Sequence, residues 1–413
     1  MTLLGSMLLL HMMKINLHSI VLLIGPSGSG KSTLAAQRFK QHEILSSDDV
    51  RAELCGDFRL QIRNDDVFDE LHRRTELRIA MGQRVVVDAT NLKAKDRRFF
   101  VELSQRMNVP LYYIVINRSV NEKLASGGWR LEVGGLIEKH ENVFRSNLQD
   151  ILKGDGVATV LQGDCDFDVV ERLSLDEVVS QGKFTKLMVV GDVHGNILEA
   201  RSAAMIADAA DAFTLYLGDV IDYGDHNLES FNLVYERVMQ GKALMVWGNH
   251  ERKLGMWIKG DFGRSYRGII TAGMQRTVDE LTQLPDAAVF KAAWNAMDSM
   301  SRQHYVIGDK LFTHAAATPG LWLNNSHRPH GEHGQLAYFG QVDADKPMRE
   351  DGYPNRVYGW IDQIPAGKTV IVGHDIRSKE EPMVVENAIG GTAIFLDTGS
   401  SKGGKLSHMI FKI

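Results

Sequence analysis

Apolar residues along this chain gather in short unbroken runs, each ending at a glycine or an acid, and the stretches between runs carry helical spacing. Residues 20–24, 85–87 and 111–116 read as strands buried on both faces, because their apolar positions do not alternate with polar ones. Residues 33–40, 66–81 and 96–107 read as the helices between them. From 133 to 152 the pattern is helical again, and 153–163 is glycine-rich with short strand signals. This alternation predicts a parallel α/β sheet. Further on, runs at 187–190, 214–217, 243–247, 310–313, 369–372 and 392–396 alternate with helices and predict an α+β sandwich of two sheets. A chain of 413 residues exceeds one core. Domains are expected at 14–180 and 184–413, with the junction near 180–184.

Directly after the first run comes Gly25-Pro26-Ser27-Gly28-Ser29-Gly30-Lys31-Ser32, a complete Walker A loop opening a helix at Thr33. Its glycines let backbone N–H groups face phosphates, Lys31 adds charge at the β- and γ-phosphates, and the Ser32 hydroxyl suits Mg²⁺. The run at 85–87 ends in Asp88, which either holds Mg²⁺ through water or caps the next helix. Ser46-Ser47-Asp48-Asp49-Val50-Arg51 leaves two readings open as well. Asp48 at a strand end can take a proton from an attacking hydroxyl, and Arg51, one helical turn on, can grip an acceptor phosphate. The alternative is an acidic helix cap with a solvated arginine.

The second half carries three ordered motifs: Gly191-Asp192-Val193-His194-Gly195-Asn196, Gly218-Asp219-Val220-Ile221-Asp222 and Gly248-Asn249-His250-Glu251. Each closes an apolar run, where open sheets hold their ligands. Asp192, His194, Asp219 and Asn249 are the donors that two adjacent hard cations need, with one carboxylate left to bridge them. His314 and His374 close later runs and extend the set.

Composition narrows the picture modestly. The net charge of −5 argues against broad wrapping of duplex DNA, so a nucleic-acid partner would be held by its ends. Two cysteines, Cys55 and Cys165, fit a reducing cytoplasm better than a disulfide framework. Residues 1–13 are apolar but have neither a basic leader nor a small-residue cleavage site, so no signal or membrane segment is expected, and Met12 or Met13 could be the native start. The basic run Lys93-Ala94-Lys95-Asp96-Arg97-Arg98 reads as a solvated helix face. Lys153-Gly154-Asp155-Gly156 matches a nucleotidyl-transfer motif only by chance, and His327, His330 and His333 read as a solvated loop.

Walker A, then Asp48-Asp49-Val50-Arg51, then Asp88-Ala89-Thr90-Asn91, joined to the three metal motifs, resembles the bacterial and phage RNA-repair form of polynucleotide 5′-kinase/3′-phosphatase end-healing enzymes. The resemblance runs from about Lys14 to the C-terminus. It implies that Lys31 and Ser32 bind ATP phosphates and Mg²⁺, that Asp48 is general base, that Arg51 grips the phosphate beside the 5′-OH, and that Arg130 is a lid arginine. The calcineurin-like pattern of the second half implies one metal on Asp192, His194, Asp219 and His374, and another on Asp219, Asn249 and His314. His250 would contact phosphate or protonate the leaving oxygen, with Asp397 supporting it. Relatives place an arginine four residues after the bridging aspartate; here that position is Tyr223.

The expected function is therefore ATP-dependent phosphorylation of 5′-OH ends of RNA or DNA, and removal of 2′/3′-phosphate or opening of 2′,3′-cyclic phosphate with two divalent metals, Mn²⁺ preferred. A separate ligase would act downstream. A second reading is a dinucleoside polyphosphate or phosphoprotein phosphatase fused to a small-nucleoside kinase; a third is an ATP-sensing module without transfer.

Overall fold

The computed structural model describes residues 13–60, 62–125, 135–162, 167–172, 174–261, 270–323, 331–343, 345–348 and 354–413. The chain divides into two compact units, Met1–Glu171 and Arg172–Ile413. The junction lies ahead of the expected 180–184. Helix Leu175–Ser180 belongs to the second unit, because Leu175 and Val178 pack into the cluster formed by Leu187, Phe213 and Tyr305.

In the first unit, strands Met13–Ile15 (β1), Ile20–Ile24 (β2), Ile44–Ser46 (β3), Val85–Asp88 (β4), Leu111–Val115 (β5), Thr159–Gln162 (β6) and Phe167–Val169 (β7) alternate with helices. The main sheet has the order β3-β4-β2-β5-β6 and is parallel throughout. A parallel pair cannot be closed by a tight turn, so each connection crosses a face of the sheet and covers it. Central β2 is consequently buried at all five positions. Helices Lys31–Arg38 (α1), Ser47–Cys55 (α2), Asn64–Ala80 (α3) and Ala94–Met107 (α4) follow β2, β3 and β4. Register brings Leu23 of β2 and Ser46 of β3 beside Asp88 of β4, so the P-loop, Asp88 and the start of α2 share one edge. β1 and β7 pair separately.

Arg97 on α4 is fully buried, contrary to the solvated face expected for 93–98. It forms a two-pronged bond with Asp155 at 2.6 and 2.9 Å, and Tyr113 donates to the same carboxylate at 2.7 Å. Asp155 is thus a structural acid, consistent with a chance match at 153–156.

The second unit is a sandwich. One sheet, of order β10-β9-β8-β18, is made of Lys186–Val190 (β8), Ala212–Tyr216 (β9), Ala243–Met245 (β10) and the antiparallel edge strand His408–Lys412 (β18). The other, β11-β12-β15-β17-β16, comprises His304–Ile307 (β11), Lys310–Thr313 (β12), Thr369–Val372 (β15), Met383–Glu386 (β16) and Thr392–Phe395 (β17). Leu187, Val189, Leu215 and Leu244 of the first sheet meet Phe312, Ile371 and Ile394 of the second in one core. β8, β9 and β10 run parallel, as do β12, β15 and β17, so six strands deliver their C-terminal ends to one edge. A small pair, Gln341–Val342 (β13) with Arg356–Val357 (β14), lies outside the sheets. No helix among the described residues is long and apolar enough to cross a membrane.

Candidate functional sites

In the first unit the loop Gly25 to Ser32 joins β2 to α1, and Gly30 caps the helix in the left-handed region at φ 97°. Lys31 is buried and folds its ammonium onto the carbonyls of Gly25 and Pro26 at 2.9 and 2.8 Å. Ser27 pairs with His140 at 2.9 Å, and the buried Ser29 hydroxyl has no partner among the described residues. Gly28 lies close against Lys123, and Thr33 sits on the first turn of α1. Ser32 bonds the Asp88 carboxyl, which burial pushes above the usual range while Ser32 and Lys31 pull it back. Asp88 caps no helix, since α4 begins beyond it with Lys93 as N-cap. The chemistry of Asp88, Ser32 and Lys31 fits a magnesium nucleotide.

Asp48 is likewise no cap: Ser46 fills that role, its hydroxyl accepting from the amides of Asp48 and Asp49. Arg51 is not solvated. It is 4% exposed, donates to Asp48 at 2.8 Å and to Asn64 at 3.1 Å, and its Nε has no partner among the described residues. Asn64 carried no sequence signal; it opens α3, which crosses α2 here. A cavity of about 510 Å³ flanks the P-loop between Thr33, Asn117, Arg118, Phe144 and Gln162. Arg118 lies against Gly30, where a Cβ would come 2.8 Å from its guanidinium. Arg130 lies outside the described residues, as do Cys165, His327 and His330. His333 bonds Thr318 at 2.7 Å.

In the second unit Asp192, His194, Asp219, Asn249, His250 and His314 are all buried at the strand ends. His314 Nε2 lies 2.9 Å from Asn249 Oδ1, 3.3 Å from Asp219 Oδ2 and 3.1 Å from His374 Nδ1. His374 therefore groups with Asp219, Asn249 and His314, not with the Asp192–His194 set expected from the resemblance. Its backbone N–H does reach Asp192, at 3.0 and 3.1 Å. A second cluster contains His194, Asp219 and His250, so Asp219 is common to both. The rings are oriented from behind: the Nδ1 atoms of His194 and His314 face the carbonyls of Ile221 and Leu217 at 3.0 and 2.7 Å, which turns each Nε2 into the cradle as the candidate metal-binding nitrogen.

Electrostatics and packing say what this cradle accommodates. Burial, then Asp397 and Asp219, push Asp192 well above the carboxylate range; burial, then Lys402, push His194 well below its own. Burial alone would raise Asp219, but His314 and His250 hold it well below. His374 Nε2 and Asp397 Oδ2 are buried without hydrogen-bond partners among the described residues. A Cβ on Gly373 would fall 2.1 Å from Asp192 Oδ1, so only glycine lets that carboxylate stand where it does. Crowded carboxylates and unpartnered imidazole nitrogen fit divalent cations.

Asp397 does not support His250. Its Oδ1 accepts from Gly399 N at 2.8 Å. The acid that holds His250 is Asp222, 2.5 Å from Nδ1, and Thr277 bonds the other oxygen at 2.5 Å. Asp222 stood in the second motif, three residues after Asp219, and that spacing was the available signal. Glu251, last in the third motif, accepts the N–H groups of Asp219, Val220 and Gly248 at 2.9, 2.8 and 3.1 Å, fastening two ligand loops together. Burial, then Asp219, push it up to about 7. Tyr223 turns its ring edge to His194 and His250, with centroids 4.9 and 5.3 Å apart. Arg356 donates to the Phe339 carbonyl, and its charge reaches His374. His194, Asp219, Asp222, Tyr223 and His374 all have positive φ, between 48° and 74°.

Fold and site together define the class: an AAA-type P-loop domain followed by a calcineurin-like metallophosphoesterase domain. Residues 20–124 match the AAA domain family and residues 185–378 the calcineurin-like phosphoesterase family, whose members use divalent metals. Among curated proteins, the chain is similar to bis(5′-nucleosyl)-tetraphosphatase PrpE [asymmetrical] of Bacillus mycoides (strain KBAB4), 25% identical over 237 residues, which is 54% of this chain and 89% of that protein. Solved structures to which the chain is similar include a protein serine/threonine phosphatase from Saccharomyces cerevisiae, 15% identical with TM-score 0.37 over 56% of this chain and 81% of that one. The Pnkp1/Rnl/Hen1 RNA repair complex contains another, 15% identical with TM-score 0.29 over 56% and 80%.

Proposed function

We infer that the protein heals nucleic-acid ends. The P-loop unit moves the γ-phosphate of ATP to a 5′-OH, and the phosphoesterase unit removes a 2′- or 3′-phosphate or opens a 2′,3′-cyclic phosphate, leaving ends suited to a separate ligase. The observation that carries this reading is the Asp48–Arg51 pair. A proton acceptor and a buried guanidinium stand 2.8 Å apart on α2, beside the edge that holds Asp88 and the P-loop. A module that only sensed ATP would have no use for such a pair.

In the kinase step Asp48 accepts the proton of the 5′-OH as its oxygen bonds the γ-phosphorus and the bond to the ADP oxygen breaks. Arg51 leaves Asp48 to hold the adjacent nucleotide phosphate through its fork. Lys31 gathers charge at the β/γ bridge, Ser32 and Asp88 would hold Mg²⁺, and the cavity lined by Phe144 and Arg118 would take the nucleoside of ATP. In the phosphoesterase unit two bound cations, Mn²⁺ for preference at so imidazole-rich a site, would polarise the phosphoryl group and acidify a water. His250, aligned by Asp222, gives a proton to the sugar oxygen as its bond to phosphorus breaks and the water oxygen takes its place.

The test is transfer of labelled γ-phosphate from ATP to 5′-OH RNA, 5′-OH DNA and free nucleosides. Label on polynucleotide ends is expected, and label on nucleosides alone would refute the acceptor. The likeness to bis(5′-nucleosyl)-tetraphosphatase favours a second reading of the phosphoesterase half, hydrolysis of a dinucleoside polyphosphate. Comparing kcat/KM on diadenosine tetraphosphate with that on a 3′-phosphorylated oligonucleotide separates the two.

A further inference from the structure

Beyond Asp397 the chain makes a tight loop that carries a cation into the metal cradle. The amides of Lys402 and Gly404 both donate to Gly399 O, at 2.8 and 3.0 Å, and Gly399 N donates to Asp397. A Cβ on Gly404 would lie 1.7 Å from the Thr398 carbonyl, so this turn admits no other residue there. Lys379 clamps the Lys402 carbonyl at 2.8 Å. From this frame Lys402 points inward. Its ammonium sits 4.0 Å from the Tyr223 ring centroid and 2.9 Å from Nε2 of His194.

An ammonium only donates, so its bond to Nε2 occupies the lone pair that a metal on His194 would require. Lysine and metal exclude each other at that nitrogen. Yet the charge is not a passive plug, since it faces two carboxylates, Asp192 and Asp397, and rests on the aromatic face of Tyr223. Four residues after Asp219 stands neutral Tyr223, and Arg356 spends a guanidinium N–H on a backbone carbonyl. A phosphate dianion at this site needs a cationic partner besides metals.

We propose that Lys402 is the phosphate-binding cation of the phosphoesterase site: it holds His194 until a metal displaces it, and then binds a substrate phosphoryl oxygen. This rests on reading the unit as a two-metal phosphoesterase. Tyr223 supplies the aromatic face on which the ammonium rests while it holds His194.

Lys402→Met keeps the stem and removes the charge; Lys402→Arg keeps the charge. Calorimetric titration of chelator-stripped protein with Mn²⁺ is expected to show the first metal binding roughly tenfold tighter to Lys402→Met, since a charge-assisted competitor has gone. Metal-loaded Lys402→Met is expected to bind inorganic phosphate about tenfold or more weakly, with Lys402→Arg recovering most of the loss. Phosphate affinity unchanged in Lys402→Met, or first-metal affinity lowered by it, would overturn the role. Failure of the underlying reading looks different: the parent protein itself would take up fewer than two metal ions per chain.

Discussion

Asp222→Asn isolates what the structure assigns to the acid behind His250. The carboxylate is fully buried and accepts from two donors, His250 Nδ1 and the Thr277 hydroxyl, each at 2.5 Å. An amide has one acceptor oxygen, so one donor must lose its partner while shape is conserved. If Thr277 keeps the oxygen, His250 faces an NH₂ and its protonated form loses the counter-charge that stabilises it. Hydrogen bonds to charged groups contribute about 1.5–3 kcal/mol, a factor of ~10–100 in rate when made to an imidazolium in the transition state. A further loss of stability of about 1–3 kcal/mol is expected from the unsatisfied group, read as a lowered unfolding midpoint. The discriminating assay varies the leaving group. On a 3′-phosphorylated oligonucleotide, whose leaving alkoxide needs a proton, kcat should fall about 100-fold. On 4-nitrophenyl phosphate, whose leaving group departs as a stable anion, the loss should stay within about fivefold, with metal content unchanged by elemental analysis. Equal losses on both substrates would remove His250 from proton donation and leave Asp222 a purely structural acid.

Other expectations follow from the same geometry. Lys31→Ala should abolish 5′-phosphorylation and spare phosphatase turnover, while Asp219→Ala does the reverse; loss of both activities in either folded variant refutes independent sites. Asp48→Asn should slow phosphate transfer about 100-fold with ATP affinity little changed, measured by single-turnover transfer beside nucleotide binding. Burial pushes His18 down from 6.5 to about 4, its Nε2–H being bonded to the Ile79 carbonyl at 2.8 Å. The unfolded chain therefore binds the extra proton first, and stability present above pH 6.5 is lost as pH falls toward 4, by about 3 kcal/mol in all. Denaturant unfolding of the parent and His18→Gln across that window should diverge, and parallel curves would sink the assignment. Asp155→Ala strands the buried Arg97 guanidinium and should cost about 3 kcal/mol by the same measurement, despite the carbonyls of Asn91 and Leu92 that it also bonds.

What could be read from the sequence is what local order dictates. The parallel sheet of the first unit and the two mixed sheets of the second all bury their central strands on two faces, so these appear as solid apolar runs, and each run stops where a loop must bring a ligand to the edge. Edge strands were harder to see. β18 is only half buried along its length, so it presents no solid run, and its place beside β8 depends on a partner more than two hundred residues away. Contacts across the cradle were invisible for a similar reason. Asp222 and Asp397 are both buried acids near motif residues, and only packing decides that the first meets His250 and the second its own loop. Lys402 is one lysine among glycines and serines until the fold sets it against His194, and Arg97 looks like any basic residue on a helix until Asp155 arrives beneath it.

Five side chains around the cradle, His194, Asp219, Asp222, Tyr223 and His374, sit in a backbone region that costs non-glycine residues about 1–2 kcal/mol each. A screen that rewards thermal tolerance alone would find improvement at these positions by glycine replacement, and every such gain would delete a ligand, the acid behind His250 or the aromatic face beneath Lys402. Thermostability and turnover are thus set against each other in the same few codons, and a library aimed at robust variants should hold these five constant and diversify the sandwich that supports them.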